Sequence, residues 1–264
     1  MSYLKSSILS KWVMAVTGIV LVGFLIGHTV GNMQLFIGSD TFNTYAAFLQ
    51  GLGELLWVVR ITLIVCVLLH IFTSIKLKLD NYAARPIKYQ YKSYLKAKLT
   101  SRNMIWTGIM ILAFVVYHLL HFTVGTAHPD YYNHYESVVN EKSAVAIDTQ
   151  GEQIPPTFKT ITQDGKTYVI QEEVKSAKTR HNTYKMVVTS FRNPIISICY
   201  IIGVILLAFH LTHAIQSAFQ TLGLNHPRYF GYITAGSNLL SILIAVCLIS
   251  IPVSILTGIV GGAI

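Results

Sequence analysis

Four histidines stand inside apolar stretches long enough to cross a bilayer, each on a different stretch: His28, His70, His118 and His210. Imidazole in hydrocarbon is costly unless it has a partner, so intramembrane histidines mark functional sites by default. Two imidazoles from facing helices are the donor set that clamps a low-spin haem iron from both sides of its macrocycle; two neighbours on one helix cannot do this. No Cys-x-x-Cys-His occurs in the chain, so any haem it holds is bound without covalent attachment.

Depth along the helices sorts these histidines into two layers. At a rise of about 1.5 Å per residue, His28 lies about 25 Å past Lys11 and His118 about 24 Å past Arg102. His70 precedes Lys76, and His210 precedes Gln216, by six residues each, or about 9 Å. The expected pairs are therefore His70 with His210 near the inner edge and His28 with His118 near the outer edge. A single helical histidine is more often a buried, hydrogen-bonded residue than a ligand; the agreement of depths favours ligation. His121 and His213 each follow a candidate by three residues on the same helical face and match less well in depth, which suggests residues that support a haem or contact its propionates. His128, His134, His181 and His226 fall in loops, where solvation is expected.

The elements that must position these residues follow from composition. The chain has 264 residues, 53% of them hydrophobic and only 12% charged, with a mean hydropathy of +0.53, well outside the range of soluble domains. About 20 apolar residues span the hydrocarbon layer, and five regions qualify: 12–33, 54–75, 104–126, 194–217 and 233–260. The fold class is thus an all-α membrane protein, a bundle of five transmembrane helices. Residues 1–125 carry the first three helices and 193–264 the last two.

The formal charge of +9 does not indicate nucleic acid, because most of the excess lies in one inter-helix segment, 76–102, with Lys76, Lys78, Arg85, Lys88, Lys92, Lys96, Lys98 and Arg102 opposed only by Asp80. The first loop, Met33 to Gly53, has no Lys or Arg. The positive-inside rule then puts the N-terminus and the basic segment in the cytoplasm and the C-terminus outside. That face suits anionic lipid headgroups or an acidic partner. Cys66, Cys199 and Cys247 fall within the helices and suggest packing, with neither a disulfide framework nor a thiolate metal site.

Residues 126–192 are polar and should form an external insertion. Within it, Thr157 to Gln163 and Lys166 to Glu172 alternate in character around Asp164-Gly165, a favoured two-residue hairpin turn, so a β-hairpin is expected there. Pro155-Pro156 would stop any helix ahead of it, and the Tyr- and His-rich stretch His128 to Tyr135 suits a membrane interface.

Gly18, Gly23, Gly27 and Gly31 populate the first helix and permit close approach of a macrocycle or another helix. Arg60 lies seven residues into the second helix, where its guanidinium needs a counter-ion such as a propionate or Glu54, or snorkels to the surface.

The segments Lys11-Trp-Val-Met-Ala-Val-Thr-Gly18, Phe24-Leu-Ile-Gly-His28, Leu68-Leu-His70, Val115-Val-Tyr-His118 and Ala208-Phe-His210 together resemble the dihaem cytochrome b subunit, b558 type, of succinate:quinone oxidoreductases. The resemblance covers all five helices and rests on the order, spacing and sidedness of short motifs. It implies two haems b, with His70 and His210 holding the cytoplasm-proximal one and His28 and His118 the distal one. It further implies a membrane anchor in the bacterial cytoplasmic membrane for a flavoprotein subunit carrying FAD and an iron–sulfur subunit, both on the cytoplasmic side. Such an anchor passes electrons between succinate and membrane quinone, usually menaquinone, linking the tricarboxylic acid cycle to the respiratory chain; the dicarboxylate site is on another subunit. Two features depart from the pattern: the insertion 126–192 is longer than the corresponding loop of compact members, and Glu54, a candidate for proton transfer to quinone, lacks the matching spacing from His70. The alternatives are a dihaem cytochrome serving a hydrogenase or formate dehydrogenase, and a haem-free transporter in which the histidines relay protons.

Overall fold

The computed structural model describes residues 6–84, 87, 99–148, 160–163 and 166–262. They comprise a helical unit, Met1–Asn133 with Thr183–Ile264, and a separate β unit, His134–Asn182. Five helices are long and apolar enough to cross a membrane: α1 (Ser7–Met33), α3 (Glu54–Ala83), α5 (Met104–His118, continued by a π turn over Leu119–Thr123), α8 (Pro194–Thr221) and α9 (Pro227–Leu256). Shorter helices α2 (Ser39–Gln50), α4 (Leu99–Arg102), α6 (Pro129–Tyr132) and α7 (Thr183–Phe191) complete the helical unit.

Local chemistry sets the helix ends. The Ser6 side chain accepts from the Leu9 N–H to start α1, and Asn193 accepts from Ile195 and Ile196 to start α8 just ahead of Pro194. Inside the helices, Thr17, Thr29, Thr73, Ser237 and Ser241 donate their hydroxyls to carbonyls one turn back. This satisfies each polar side chain within its own helix, the arrangement an apolar surround demands.

α3 packs on α1, α5 on α8, and α1 on α8, with α9 against α8. The outward faces remain apolar: on α3 alone Trp57, Val58, Ile61, Ile64, Leu68 and Phe72 are exposed. Contiguous apolar surface on this scale belongs against lipid or another protein. The end bearing Lys11, Lys76 and Arg102 is termed inner and the opposite end outer. One apolar core sits at the outer end, where Val188, Phe191, Ile196, Tyr200 and Ile251 gather with Leu35 and Phe42.

The short helices α2, α4, α6 and α7 were not anticipated; α2 lies in the first loop and α7 just before α8. Helices α2 and α7 contact each other, and the fully buried Asn43 of α2 accepts from the Tyr184 backbone N–H at 2.8 Å, capping one of the donors that the first turn of α7 leaves unpaired. Residues 183–192 therefore belong to the helical unit, and the insertion that stands apart is shorter than 126–192.

In the β unit, β1 (Tyr135–Asp148), β2 (Thr160–Gln163) and β3 (Lys166–His181) form an antiparallel sheet of order β1-β3-β2. Gln163 pairs with Lys166, the register of the expected hairpin; its Asp164-Gly165 turn and Pro155-Pro156 lie outside the described residues. β1 was not expected, since its alternation is weak and is broken by register shifts around Glu141. At the base of the sheet, Arg180 and Asn182 both donate to the Glu136 carboxylate, at 2.5 and 2.7 Å. Arg85, Lys88, Lys92, Lys96 and Lys98 of the basic segment also lie outside the described residues.

Asn43→Ala should remove the cap on α7 and leave the part-buried Tyr184 N–H without this acceptor, destabilising the protein by about 0.5–2 kcal/mol. A lowered unfolding midpoint in detergent, with earlier proteolysis within α7, is the expected observation.

Candidate functional site

The four histidines come from four helices. α1 and α5 run from the inner to the outer end, and α3 and α8 return, so each pair combines one ascending or descending helix from each half of the bundle.

In the inner layer, His70 Nδ1 on α3 lies 3.3 Å from Thr17 Oγ1 on α1, and His210 Nδ1 on α8 lies 3.1 Å from Thr107 Oγ1 on α5. Glycine follows each threonine, letting the imidazole lie against the helix: a Cβ at Gly18 would stand 3.4 Å from His70 Cε1, and one at Gly108 3.7 Å from His210 Cε1. His213 lies one turn beyond His210 on α8. Thr17 is six residues past Lys11 and His70 six before Lys76, so the two face each other at the same level of antiparallel helices.

In the outer layer, the His28 and His118 rings lie 5.7 Å apart between centroids, tilted by 51°. Phe24 stacks on His28 at 5.6 Å, and Phe114 meets His118 edge-on at 6.1 Å. Asn32 Nδ2 donates to the His28 carbonyl at 2.8 Å, which fixes the amide orientation, and also reaches His28 Nε2 at 3.3 Å. His118 Nδ1 is buried with no hydrogen-bond partner among the described residues.

A repeat underlies both layers: Thr-Gly-Ile-x4-Phe-x3-His occurs at 17–28 on α1 and again at 107–118 on α5. Eleven residues are close to three full turns, so the threonine and the histidine share a face about 16 Å apart. Each of these helices supplies a histidine to the outer layer and a hydroxyl to the inner one. This repeat and the two threonines escaped the sequence reading, although the signal is present once the two histidine helices are aligned.

His121 follows His118 by three residues, within a π turn. The π turn, closed by the Val124 N–H to Leu119 carbonyl bond of 2.8 Å, carries it into the outer core, where it is fully buried. Its Nδ1 lies 3.0 Å from the Tyr200 hydroxyl and its Nε2 3.0 Å from Ser190 Oγ, so both ring nitrogens are engaged. His128, expected to be solvated, joins this cluster: its Nε2 lies 3.0 Å from the Tyr117 hydroxyl and its ring 4.8 Å from that of His121.

The remaining candidates stand apart from the pairs. The Arg60 guanidinium lies over the Trp57 ring at 5.2 Å, and Glu54 is an exposed residue in the first turn of α3, with no ion pair between them. Of the helix-one glycines, Gly31 packs so closely on Tyr45 that a Cβ would come within 2.7 Å of its ring, while Gly23 and Gly27 face open space. At the inner end a cavity of about 450 Å³ is lined by Lys11, Trp12, Asn81, Ser217 and Gln220 among others. It offers a cation, amides and hydroxyls about two to three turns beyond His70 and His210.

Among the described residues no three His, Cys, Asp or Glu gather as a metal cage. The donor set is instead pairs of imidazoles, which suits a metal whose remaining ligands come from a macrocycle. A metal at about 2 Å from each of two imidazole nitrogens puts the ring centroids about 6 Å apart, close to the observed His28–His118 separation. The outer pair has the spacing such a group requires, with Asn32 at Nε2 of His28. Searches against family models, characterised proteins and solved structures find no match to the chain.

His121→Ala leaves the Tyr200 and Ser190 hydroxyls buried without their partner, at about 1–3 kcal/mol for each. Its unfolding midpoint should fall well below that of His128→Ala, whose ring is only partly buried.

Proposed function

We propose that this chain is the dihaem cytochrome b membrane anchor of a succinate:quinone oxidoreductase, carrying electrons between an iron–sulfur subunit and membrane quinone. The observations that support the reading are four histidines on four apolar helices, His28 and His118 in ring contact and His70 and His210 each beside a threonine of a neighbouring helix. The resemblance of the helix motifs to the b558 family supplies the partners: a flavoprotein with FAD and an iron–sulfur protein at the inner, basic end. The five apolar helices would cross the bacterial cytoplasmic membrane with the N-terminus inside and the C-terminus outside.

His70 and His210 would hold the inner haem, and His28 and His118 the outer one. Haem b, when bound, supplies one-electron oxidation and reduction at iron. The chain's own work is to hold the imidazoles, exclude water with Phe24, Phe114 and Phe122, and keep a low dielectric around the ligands. Lys11 and Gln220, at the inner cavity, suit the carboxylates of an inner propionate or the carbonyl of a quinone. Asn32 must turn from Nε2 of His28 for that nitrogen to reach a metal. Arg60 remains a counter-ion candidate for an outer propionate, and Glu54 a candidate for proton delivery to quinone.

The chain purified from membranes should carry two b-type haems, one reducible by succinate through co-purifying flavin and iron–sulfur subunits. His70→Ala or His210→Ala should remove the inner haem alone, and His28→Ala or His118→Ala the outer. A haem-free chain, or low-spin spectra from both haems after loss of either member of a pair, would sink the assignment. Two haems with a hydrogenase or formate dehydrogenase as the co-purifying donor would keep the cofactors and replace the partner.

A further inference from the structure

The inner histidines differ from the outer ones in how their second nitrogen is held. Thr17 Oγ1 donates its one hydrogen to the Val13 carbonyl at 2.7 Å, so toward His70 Nδ1, at 3.3 Å, it has only a lone pair to offer. Thr107 is placed in the same way: its hydrogen is directed at the Asn103 and Met104 carbonyls, at 3.2 and 3.1 Å, and its lone pair faces His210 Nδ1 at 3.1 Å. With the hydroxyl hydrogens so directed, the imidazole nitrogen is the donor in each case, and His70 also has the Met14 backbone as a partner. Nδ1 then carries the proton, and Nε2 is left with a free lone pair.

We infer that Thr17 and Thr107 are positioning residues which set the tautomer and ring orientation of His70 and His210, presenting Nε2 of each to iron at the inner site. The inference rests on the dihaem reading and extends it to residues that touch neither iron nor substrate. Their recurrence supports it: each threonine stands eleven residues before an outer histidine in the repeated motif, so one helical segment builds half of both layers. Gly18 and Gly108 belong to the same device, since they let each ring approach the helix that holds its Nδ1. The outer layer lacks the device. Asn32 addresses Nε2 of His28, and Nδ1 of His118 is buried without a partner among the described residues.

A second-sphere hydrogen bond to a metal-bound histidine raises the basicity of the ligand and is worth 10- to 100-fold in affinity. The experiment uses the chain purified with its partners, after haem stoichiometry has been measured on the unaltered protein. Thr17→Val and Thr107→Val keep the shape and remove the acceptor. Each should speed release of the inner haem to a haem-scavenging apoprotein by about 10- to 100-fold and move its midpoint potential upward, because a less basic ligand favours ferric iron less. The outer haem should keep its potential. Thr17→Ser, which retains the hydroxyl, should behave as the parent. So should Thr29→Val, a control on the same helix whose hydroxyl bonds only the Leu25 carbonyl.

Two haems in the parent with an unmoved inner haem in both valine variants would overturn this inference and leave the dihaem reading standing. A shift of the outer haem as large as that of the inner would overturn it too. A parent without haem would overturn the dihaem reading and this inference with it. Should Thr17→Val fail to accumulate, Thr107→Val and Thr17→Ser carry the test on the facing ligand and on the hydroxyl itself.

Discussion

A polar group carried into an apolar bundle has to find its partner inside that bundle, because no solvent is there to supply one. The helical unit obeys this constraint at several levels. Backbone groups are paired within the helices, and hydroxyls fold back onto carbonyls one turn earlier. The two inner imidazoles are met by a neighbouring helix: α3 touches α1 through His70 and Thr17, and α5 touches α8 through Thr107 and His210.

Two solutions to that constraint coexist. His121 is satisfied at both nitrogens by Tyr200 and Ser190, a closed network that ties the end of α5 to α7 and α8 in the outer core. His70 and His210 are each held by a threonine at Nδ1 alone. A histidine anchored at one nitrogen, with the other free, is what metal ligation calls for, whereas one anchored at both is structural.

The repeat on α1 and α5 gives the bundle an approximate internal symmetry. Each half contributes an ascending helix with Thr, Gly, Phe and His in register and a descending helix with one inner histidine. About 16 Å of helix rise separates the layers, so the distance between any two cofactors held there is a property of helix geometry more than of side-chain choice. The β unit contributes to neither layer; its sheet is clamped from within by Glu136, Arg180 and Asn182.

The five apolar helices, the depth of each histidine and the β2–β3 register were legible in the sequence, because each depends on local quantities: run length, rise per residue and turn type. The helices α2 and α7 were not, since α2 owes its place to Phe42 and Asn43 meeting a distant segment, and short runs of mixed polarity carry no periodic signal of that. Strand β1 was hidden by its irregular register. The burial of His121 was hidden because its partners, Tyr200 and Ser190, come from distant segments. Likewise, the roles of Thr17 and Thr107 needed two helices to be brought side by side. Spacing along a helix determines depth; which neighbour waits at that depth, and which nitrogen it holds, is decided by tertiary packing alone.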